Sequence, residues 1–550
     1  MKINLKQLSS LEKVFLTNNQ EWEEITHASV LKGEKFSYQI AYICDGDIKV
    51  DARLKIESDL IDCISVYKIG NVPSELPVFT QLLDSKYIRT EPGLFPDVLY
   101  PMDVKAGEEF EIINKKRHAI WITASINPET KAGIYPIKIV FEPSENNDNN
   151  TEISKTFELE VIDAVLPKQT LIHTEWFHAD CIAVQYNLEM LSREHWEMIE
   201  KFIKMAVDGG INMILTPIFT PPLDTKVGGE RPTIQLVDVS KNGSKYSFGF
   251  ENLEKWIDMC LKNGVEYFEM SHLFSQWGAK YCPKIMATVD GEYKQIFGWN
   301  NEAICPEYDE FLKTFLPNLT NFLETKGIDK VTYFHISDEP LSEEHKETYE
   351  KAKNIVADLL KNYKIIDALS EVDFYTSGLV ENPIPSNDHI HKFIESGAKN
   401  LWTYYCCAQC VDVSNRFMSM PSYRNRILGT QLYKYDIIGF LQWGYNFYYS
   451  QYSKRKINPF LVTDADSAFP SGDSFLVYPD ADSPIPSIRY MVLREALQDM
   501  RAMQLLEKAI GKDAVLKIIE CDEITFKNYP CNSEYILNMR ERINQAIKSL

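Results

Sequence analysis

Residues 193–219, REHWEMIEKFIKMAVDGGINMILTPIF, change their period partway along. Trp196, Ile199, Phe202, Ile203 and Ala206 recur at three- and four-residue spacing, which is the apolar stripe of an amphipathic helix. Gly209 and Gly210 then stop the helix, and INMILTPIF reads as a short buried strand. The unit repeats downstream. ENLEKWIDMCLKNG (251–264) leads into VEYFEMSHLF (265–274), and HKETYEKAKNIVADLLKN (345–362) leads toward IIDALSEVDFY (365–375). With TLIHTEWF (170–177), KVTYFHIS (330–337), NLWTYYCC (400–407), IIGFLQWGY (437–445) and SFLVYP (474–479), eight strand candidates alternate with helices. That rhythm predicts a (β/α)8 barrel.

Upstream the rhythm differs. FSYQIAYI, IKVDARLKI, EFEIINKKRHAIWITASI, GIYPIKIVFE and TFELEVIDA are short alternating runs with no long helix between them, the pattern of an antiparallel β-sandwich. SENNDNNTE (144–152) reads as a polar hairpin tip and DAVLPKQT (163–170) as a linker. The expected fold is therefore multidomain: a β-sandwich over 1–166, then a (β/α)8 barrel over 167–550 with terminal helices. TPPLDTKVGGERPTIQLVDVSKNGSKYSFGFENLEKW (220–256) is long for a strand-to-helix connection. Its alternating TIQLVDV and the turn KNGS predict an inserted β-ribbon, and long loops on that barrel face commonly wall a substrate site.

Composition narrows the partners. The 550 residues carry 58 Lys and Arg against 79 Asp and Glu, a net charge of -21, and no basic patch stands out, so nucleic acid is excluded as a partner. No apolar run approaches a membrane span, and the N-terminus lacks a signal-like apolar segment, so a cytoplasmic protein without membrane insertion is expected. The eleven cysteines scatter without paired spacing, as reduced thiols do, and Cys406, Cys407 and Cys410 are expected as core thiols. His389 and His391 form an H-x-H at a helix start with no further ligands beside it, and no phosphate or dinucleotide loop is present. No metal or cofactor is expected. Homo-oligomerisation stays open.

The chemistry concentrates in YFHISDEPLSEEH (333–345). Asp338 and Glu339 fall at the C-terminal end of the fourth strand candidate, where barrel enzymes keep their reactive groups. Pro340 is expected to hold Glu339 extended, and Ser342 to cap the following helix. Two carboxyls so close cannot both ionise easily, so one pKa rises and supplies a general acid near neutral pH. Many barrel glycosidases pair an acid at strand four with a nucleophile at strand seven, yet IIGFLQWGYNF carries no carboxylate. That favours substrate assistance. The 2-acetamido oxygen of an N-acetylhexosamine attacks C1, Glu339 protonates the leaving oxygen and Asp338 holds the acetamido N–H. Asp473 and Glu269 are the alternative nucleophiles of a two-carboxylate enzyme, and a glycan-binding protein without turnover is the alternative outside enzymes.

Aromatic side chains for stacking on sugar faces end several strands: Trp402, Tyr404 and Tyr405; Trp443, Tyr445 and Tyr448; and Trp277. Tyr375 is placed to donate to the acetamido carbonyl, His272 and Asp473 to bind sugar hydroxyls. Arg494, with Glu495 and Asp499 after it, reads as part of a buried ion network.

Together, WFHADCIA, TPIFTPPLDTKVGGERPTIQLVDV, MSHLFSQWGAKY, HISDEP, LQWGYNFYYSQ, SGDSFLVYPD and SIRYMVLREALQDMRAMQLLE resemble glycoside hydrolase family 123 over essentially the whole chain. The resemblance implies a β-N-acetylgalactosaminidase with an N-terminal β-sandwich and a catalytic barrel. It implies that Asp338 and Glu339 act with retention on terminal β-linked GalNAc, in oligosaccharides such as those of glycosphingolipids.

Overall fold

The computed structural model describes residues 2–17, 21–45, 49–143, 153–340, 342–520 and 523–550. The expected hairpin tip at 144–152 lies outside the described residues. Two five-stranded sheets form the N-terminal region. One aligns Lys2–Ser9, Lys35–Asp45, His118–Ser125, Ile64–Ser74 and Gly93–Met102; the other aligns His27–Lys32, Ile153–Val165, Gly133–Pro143, Lys49–Glu57 and Glu109–Ile113. They face each other across a shared core in which Tyr38 stacks on Phe157 at 4.4 Å and Tyr42 meets Phe141 edge-on. One pairing departs from the expected antiparallel pattern: His27–Lys32 runs parallel to Ile153–Val165. This edge strand joins its sheet by crossing over from the other one, and a crossover leaves direction free where a hairpin does not.

The second region contains eight parallel strands in a nearly closed barrel. In chain order they are Ile172–Glu175, Met213–Thr216, Tyr267–Met270, Thr332–Phe334, Lys364–Leu369, Asn382–Pro385, Trp402–Tyr404 and Gly439–Gln442. The first pairs with both the second and the eighth, and the seam between sixth and seventh is spanned by the single bridge Ser386 to Tyr404. The helix that opened the sequence reading runs Arg193–Asp208, capped by Ser192, whose Oγ accepts from His195 N–H; its stripe of Trp196, Ile199, Phe202, Ile203 and Ala206 is buried.

The barrel count holds, but its later strands shift. Asn382–Pro385 is the sixth strand and was not expected as one, since Pro383 and Pro385 remove ladder donors. At the seam those missing N–H groups cost little. NLWTYYCC consequently supplies the seventh strand and IIGFLQWGY the eighth. SFLVYP lies outside the barrel, pairing Val477–Pro479 with Pro484–Pro486. Gly439 is required where it sits, because a Cβ there would come within 2.0 Å of the Trp402 indole.

The ribbon expected after the second strand is present as Asp238–Asn242 with Lys245–Gly249, and it continues into a second hairpin, Ile285–Val289 with Glu292–Phe297. The N-terminal sheets dock on the barrel through buried polar contacts. Lys13 donates to the carbonyls of Met418 (2.8 Å) and Met420 (2.7 Å), Arg489 pairs with Asp97 at 2.9 Å, and Arg424 pairs with Asp84 at 2.9 Å. Arg426 joins Glu495 and Asp499, so the network expected around Arg494 is real but centres on Arg426. Arg494 itself pairs with Asp208. Among the described residues no helix is long and apolar enough to cross a membrane.

Candidate functional site

Beyond Thr332–Phe334 the chain His335-Ile336-Ser337-Asp338-Glu339 is stitched across the barrel mouth. Ile336 N–H donates to Asp367 Oδ1 at 3.1 Å and Glu339 N–H to the Ala368 carbonyl at 3.1 Å, which tie it to the fifth strand. Ser337 Oγ donates to the Ser275 carbonyl and Trp277 N–H to the Asp338 carbonyl, both at 2.8 Å, which tie it to the loop after the third. Ser342 caps the next helix as expected, accepting from His345 N–H.

The backbone of Glu339 is not extended, contrary to expectation. Its φ is +43°, in the left-handed region. A following proline favours extended backbone, so the left-handed conformation is imposed by the surrounding contacts and not by Pro340. Such a conformation costs about 1 kcal/mol or more for a residue with a side chain, and it persists because hydrogen bonds on both sides determine it.

Asp338 is 7% exposed and Glu339 half-buried. Burial and the charge of Glu339 push Asp338 well above the ordinary carboxylate range, and burial raises Glu339 against the pull of a hydrogen bond from Tyr404. That bond runs from Tyr404 OH to Glu339 Oε1 at 2.7 Å. Together the two acids hold a proton that an isolated carboxyl would have lost.

They line a cavity of ≈ 130 Å³ whose other walls include Trp176, Trp277, Trp443 and Tyr404. Tyr404, Trp443 and Trp277 are thus brought together around the acid pair. Asp473 sits one layer behind, accepting from Trp443 Nε1 at 2.9 Å, with burial pushing it up to about 7 against the pull of Arg416. Trp402 is buried against Tyr333 inside the barrel, and Tyr445 spends its hydroxyl on the Phe202 carbonyl. Tyr375 lies on the short helix Asp373–Thr376, 6.2 Å from Phe393, and is not in the cavity wall. Its segment was read as strand, but the strand stops at Leu369.

His272 lies among buried charges inside the barrel. It stacks at 4.3 Å on His335, whose Nε2 bonds Glu269 Oε2 at 2.8 Å and whose Nδ1 is 3.4 Å from Asp367, an ion-pair contact outside hydrogen-bond geometry. Burial works against the charged ring, yet Asp367 and Glu269 outweigh it and raise His335 to about 9. Tyr349 OH donates to Asp367 and Thr174 Oγ1 to Glu269. Glu269, read as an alternative nucleophile, is therefore committed to this network and absent from the cavity wall.

Among the described residues, His272, His335 and Asp367 are the group whose atoms could hold a metal ion, lying within 4.8 Å of one another. His389 Nδ1 lies 2.8 Å from Asp388 Oδ1 and 3.2 Å from Ser386 Oγ.

Several residues of the site were not singled out by their sequence. Arg416 places Nη1 at 2.7 Å from both oxygens of Glu175, and its Nη2 bonds Gln442 and the Gly444 carbonyl, clipping the first strand to the eighth. Cys406 and Cys407, expected in the core, are half-buried cavity residues, with Cys406 Sγ 4.0 Å from Glu339 Oε1. Asp224 and Gln276 also face the cavity. The available signal was loop length: Asp224 lies in the long connection already read as a wall.

No curated protein matches the chain. Among solved structures, a family 123 glycoside hydrolase from Clostridium perfringens, described in connection with glycolipid glycan hydrolysis, superposes with a TM-score of 0.74 at 15% identity, covering 100% of this chain and 98% of that one. An FMN-binding beta-glucuronidase from Facaelibacterium prausnitzii reaches a TM-score of only 0.34 at 8% identity, covering 87% of this chain and 61% of its own. In sequence, residues 176–506, more than half of the chain and nearly all of the barrel, match the glycoside hydrolase 123 catalytic domain. An acid pair at the mouth of a parallel barrel, set in a small aromatic cavity, is thus part of a catalytic domain that makes this chain a member of glycoside hydrolase family 123.

Proposed function

We propose that the protein is a retaining exo-β-N-acetylgalactosaminidase that uses its substrate's acetamido group as the nucleophile. The observation that carries this reading is the disposition of carboxylates. Asp338 and Glu339 are adjacent in the cavity, while Asp473 is turned into Trp443, Glu269 into His335, and Asp224, the third carboxylate of the wall, has one oxygen held by Tyr452 N–H. A two-carboxylate glycosidase needs its second group about 5 to 9 Å across the scissile bond, and neither of the nucleophiles expected from sequence reaches the cavity wall. The seventh and eighth strands, Trp402–Tyr404 and Gly439–Gln442, carry no carboxylate.

In the first step the acetamido carbonyl oxygen bonds to C1 as the bond from C1 to the glycosidic oxygen breaks, and Glu339 gives that oxygen its proton. The acetamido N–H requires an acceptor, so its arrival fixes Asp338 as the ionised member of the pair and leaves the proton on Glu339. Asp338 then faces the oxazolinium charge. Glu339, now a carboxylate held by Tyr404 OH, takes a proton from water as that water attacks C1 and the bond from C1 to the acetamido oxygen breaks, which restores the acetamido group and retains the configuration. The small cavity suits one terminal sugar, with Trp277 and Trp443 as stacking surfaces. Glycolipid glycans are the proposed natural substrates, by analogy with the Clostridium perfringens structure.

Paired aryl β-GalNAc and β-GlcNAc substrates test the specificity, with preferential turnover of the former expected. A GalNAc-thiazoline, which mimics the oxazoline, should inhibit competitively. Absence of inhibition alongside normal turnover would refute substrate assistance.

A further inference from the structure

Two acceptors in the cavity are left over by this mechanism. Asp224 has Oδ2 held by Tyr452 N–H at 3.0 Å, while its Oδ1 makes no hydrogen bond among the described residues. Gln276 Oε1 is buried without a hydrogen-bond partner. A buried amide oxygen without a donor is rare and costly unless a ligand satisfies it.

Both positions are tied into the backbone around the cavity. Ser453 Oγ donates to the Asp224 carbonyl and Lys226 N–H to that of Tyr452, so the loops after the second and eighth strands are clasped together. Asp224, Tyr452 and Ser453 all have left-handed backbone, with φ of 36°, 59° and 52°. Gln276 is fixed from both sides: Ser275 accepts from Ser337, and Trp277 donates to Asp338 while its ring meets Tyr452 edge-on at 6.1 Å. The same clasp therefore locates Asp224, Gln276 and the acid pair relative to one another.

We propose that Asp224 and Gln276 form the hydroxyl-reading wall of the sugar site, accepting hydrogen bonds from the ring hydroxyls on the C4 edge of the terminal hexosamine. This rests on the glycosidase reading above. With C1 at Glu339 and the C2 acetamido group at Asp338, the polar groups that remain on the sugar are hydroxyls, which donate. The wall offers one carboxylate oxygen and one amide oxygen, which accept. The configuration at C4 is the feature that separates GalNAc from GlcNAc, so a wall built of fixed acceptors discriminates between them. Burial raises Asp224 to about 6 and one of its oxygens is occupied, which suits an acceptor better than a nucleophile.

The test crosses enzyme variants with deoxy sugars. Asp224→Asn keeps an oxygen for Tyr452 N–H, and Gln276→Met keeps the volume without the amide. On aryl β-GalNAc each variant is expected to lose about 10- to 100-fold in kcat/KM, the range for a hydrogen bond in a buried site. On the 4-deoxy or the 6-deoxy substrate, wild type is already slow and the variants lose less than about threefold further. Equal losses on parent and deoxy sugars would make the residues mere loop supports, and no loss on any substrate would remove them from the site; either overturns the proposal. Rescue of Asp224→Ala by azide, with formation of the α-glycosyl azide, would identify a nucleophile and overturn it too.

Binding of GalNAc and 4-deoxy-GalNAc to Glu339→Gln, by calorimetry, separates the two levels. If wild type fails to hydrolyse while the deoxy pattern persists in binding, the reaction falls and the wall stands. If GalNAc and its deoxy analogue bind identically, the wall falls alone.

Discussion

Replacing Tyr404 by Phe removes a single hydroxyl and leaves the ring in its wall. That hydroxyl donates to Glu339 Oε1 at 2.7 Å, and burial keeps it protonated, with a pKa well above the usual tyrosine value. A hydrogen bond to a charged acceptor contributes about 1.5–3 kcal/mol, which at about 1.4 kcal/mol per unit corresponds to roughly one to two pKa units. The bond favours the carboxylate, so its loss raises the pKa of Glu339 further. The alkaline limb of kcat/KM reports loss of the proton shared by the acid pair in the free enzyme. It should therefore move upward by about one to two units in Tyr404→Phe. After proton transfer the Glu339 carboxylate also lacks its donor, and kcat at the optimum should fall by about 10- to 100-fold. Initial rates on an aryl β-GalNAc from pH 4 to 10, with thermal unfolding as a control for folding, provide the measurement. A limb that stays in place or moves down, while kcat still falls, would show that Tyr404 acts on the sugar and not on Glu339.

Asp338→Asn should lose about 100-fold or more in kcat with little change in KM, because an amide does not stabilise the oxazolinium charge; near-normal turnover in steady-state kinetics would remove the assigned role. His335→Gln deletes the positive charge that draws Asp338 toward ionisation, so the acidic limb of its pH profile should move upward, and an unmoved limb would confine His335 to packing. Glu339→Gln should be more heat-stable than wild type at pH 8 and nearly equal to it at pH 4. A folded-state pKa raised above the unfolded value means that stability falls as pH rises between the two, and Gln does not titrate. Thermal scans in which that difference shrinks with rising pH would contradict the raised pKa. Arg416→Met leaves Glu175 charged and buried, with an expected loss of about 3–5 kcal/mol in urea unfolding, and a loss under about 1 kcal/mol would show that Glu175 finds another partner.

The barrel was legible where its units follow the ordinary rule of an amphipathic helix, a glycine stop and a short apolar strand, as in residues 193–219. It was not legible at Asn382–Pro385. Two prolines in four residues read as loop, and only the open seam, where Ser386 and Tyr404 make the single bridge, explains why a strand tolerates them. Missing that strand moved each later assignment by one position, yet Trp443 and Tyr404 still ended strands and still reached the cavity. The acid pair was likewise legible, because adjacency, proline and strand end are all local features. Trp402 and Tyr445 were not separable from Trp443 and Tyr404: side chains two residues apart share a face of a strand, but burial depth at its end is set by what crosses over it.

What the local sequence could not carry is the asymmetry that makes two neighbouring carboxyls different. Asp338 and Glu339 have almost the same intrinsic acidity, and burial raises both. The difference comes from residues distant in sequence. Asp338 is raised by burial, by Glu339 and by Asp367, and is drawn the other way by His335, which Glu269 and Asp367 hold in its charged form. Glu339 receives one neutral hydroxyl, from Tyr404. Burial, the charge of Glu339 and that of Asp367 outweigh the pull of His335, so the barrel interior by itself leaves Asp338 well above the ordinary carboxylate range. In the proposed mechanism the acetamido N–H asks instead for an ionised Asp338, and the charge on His335 supports that change. Substrate binding, so proposed, turns a balance that burial sets against the Asp338 carboxylate, and the groups on the first, third and fifth strands that keep His335 charged lessen the cost of that turn.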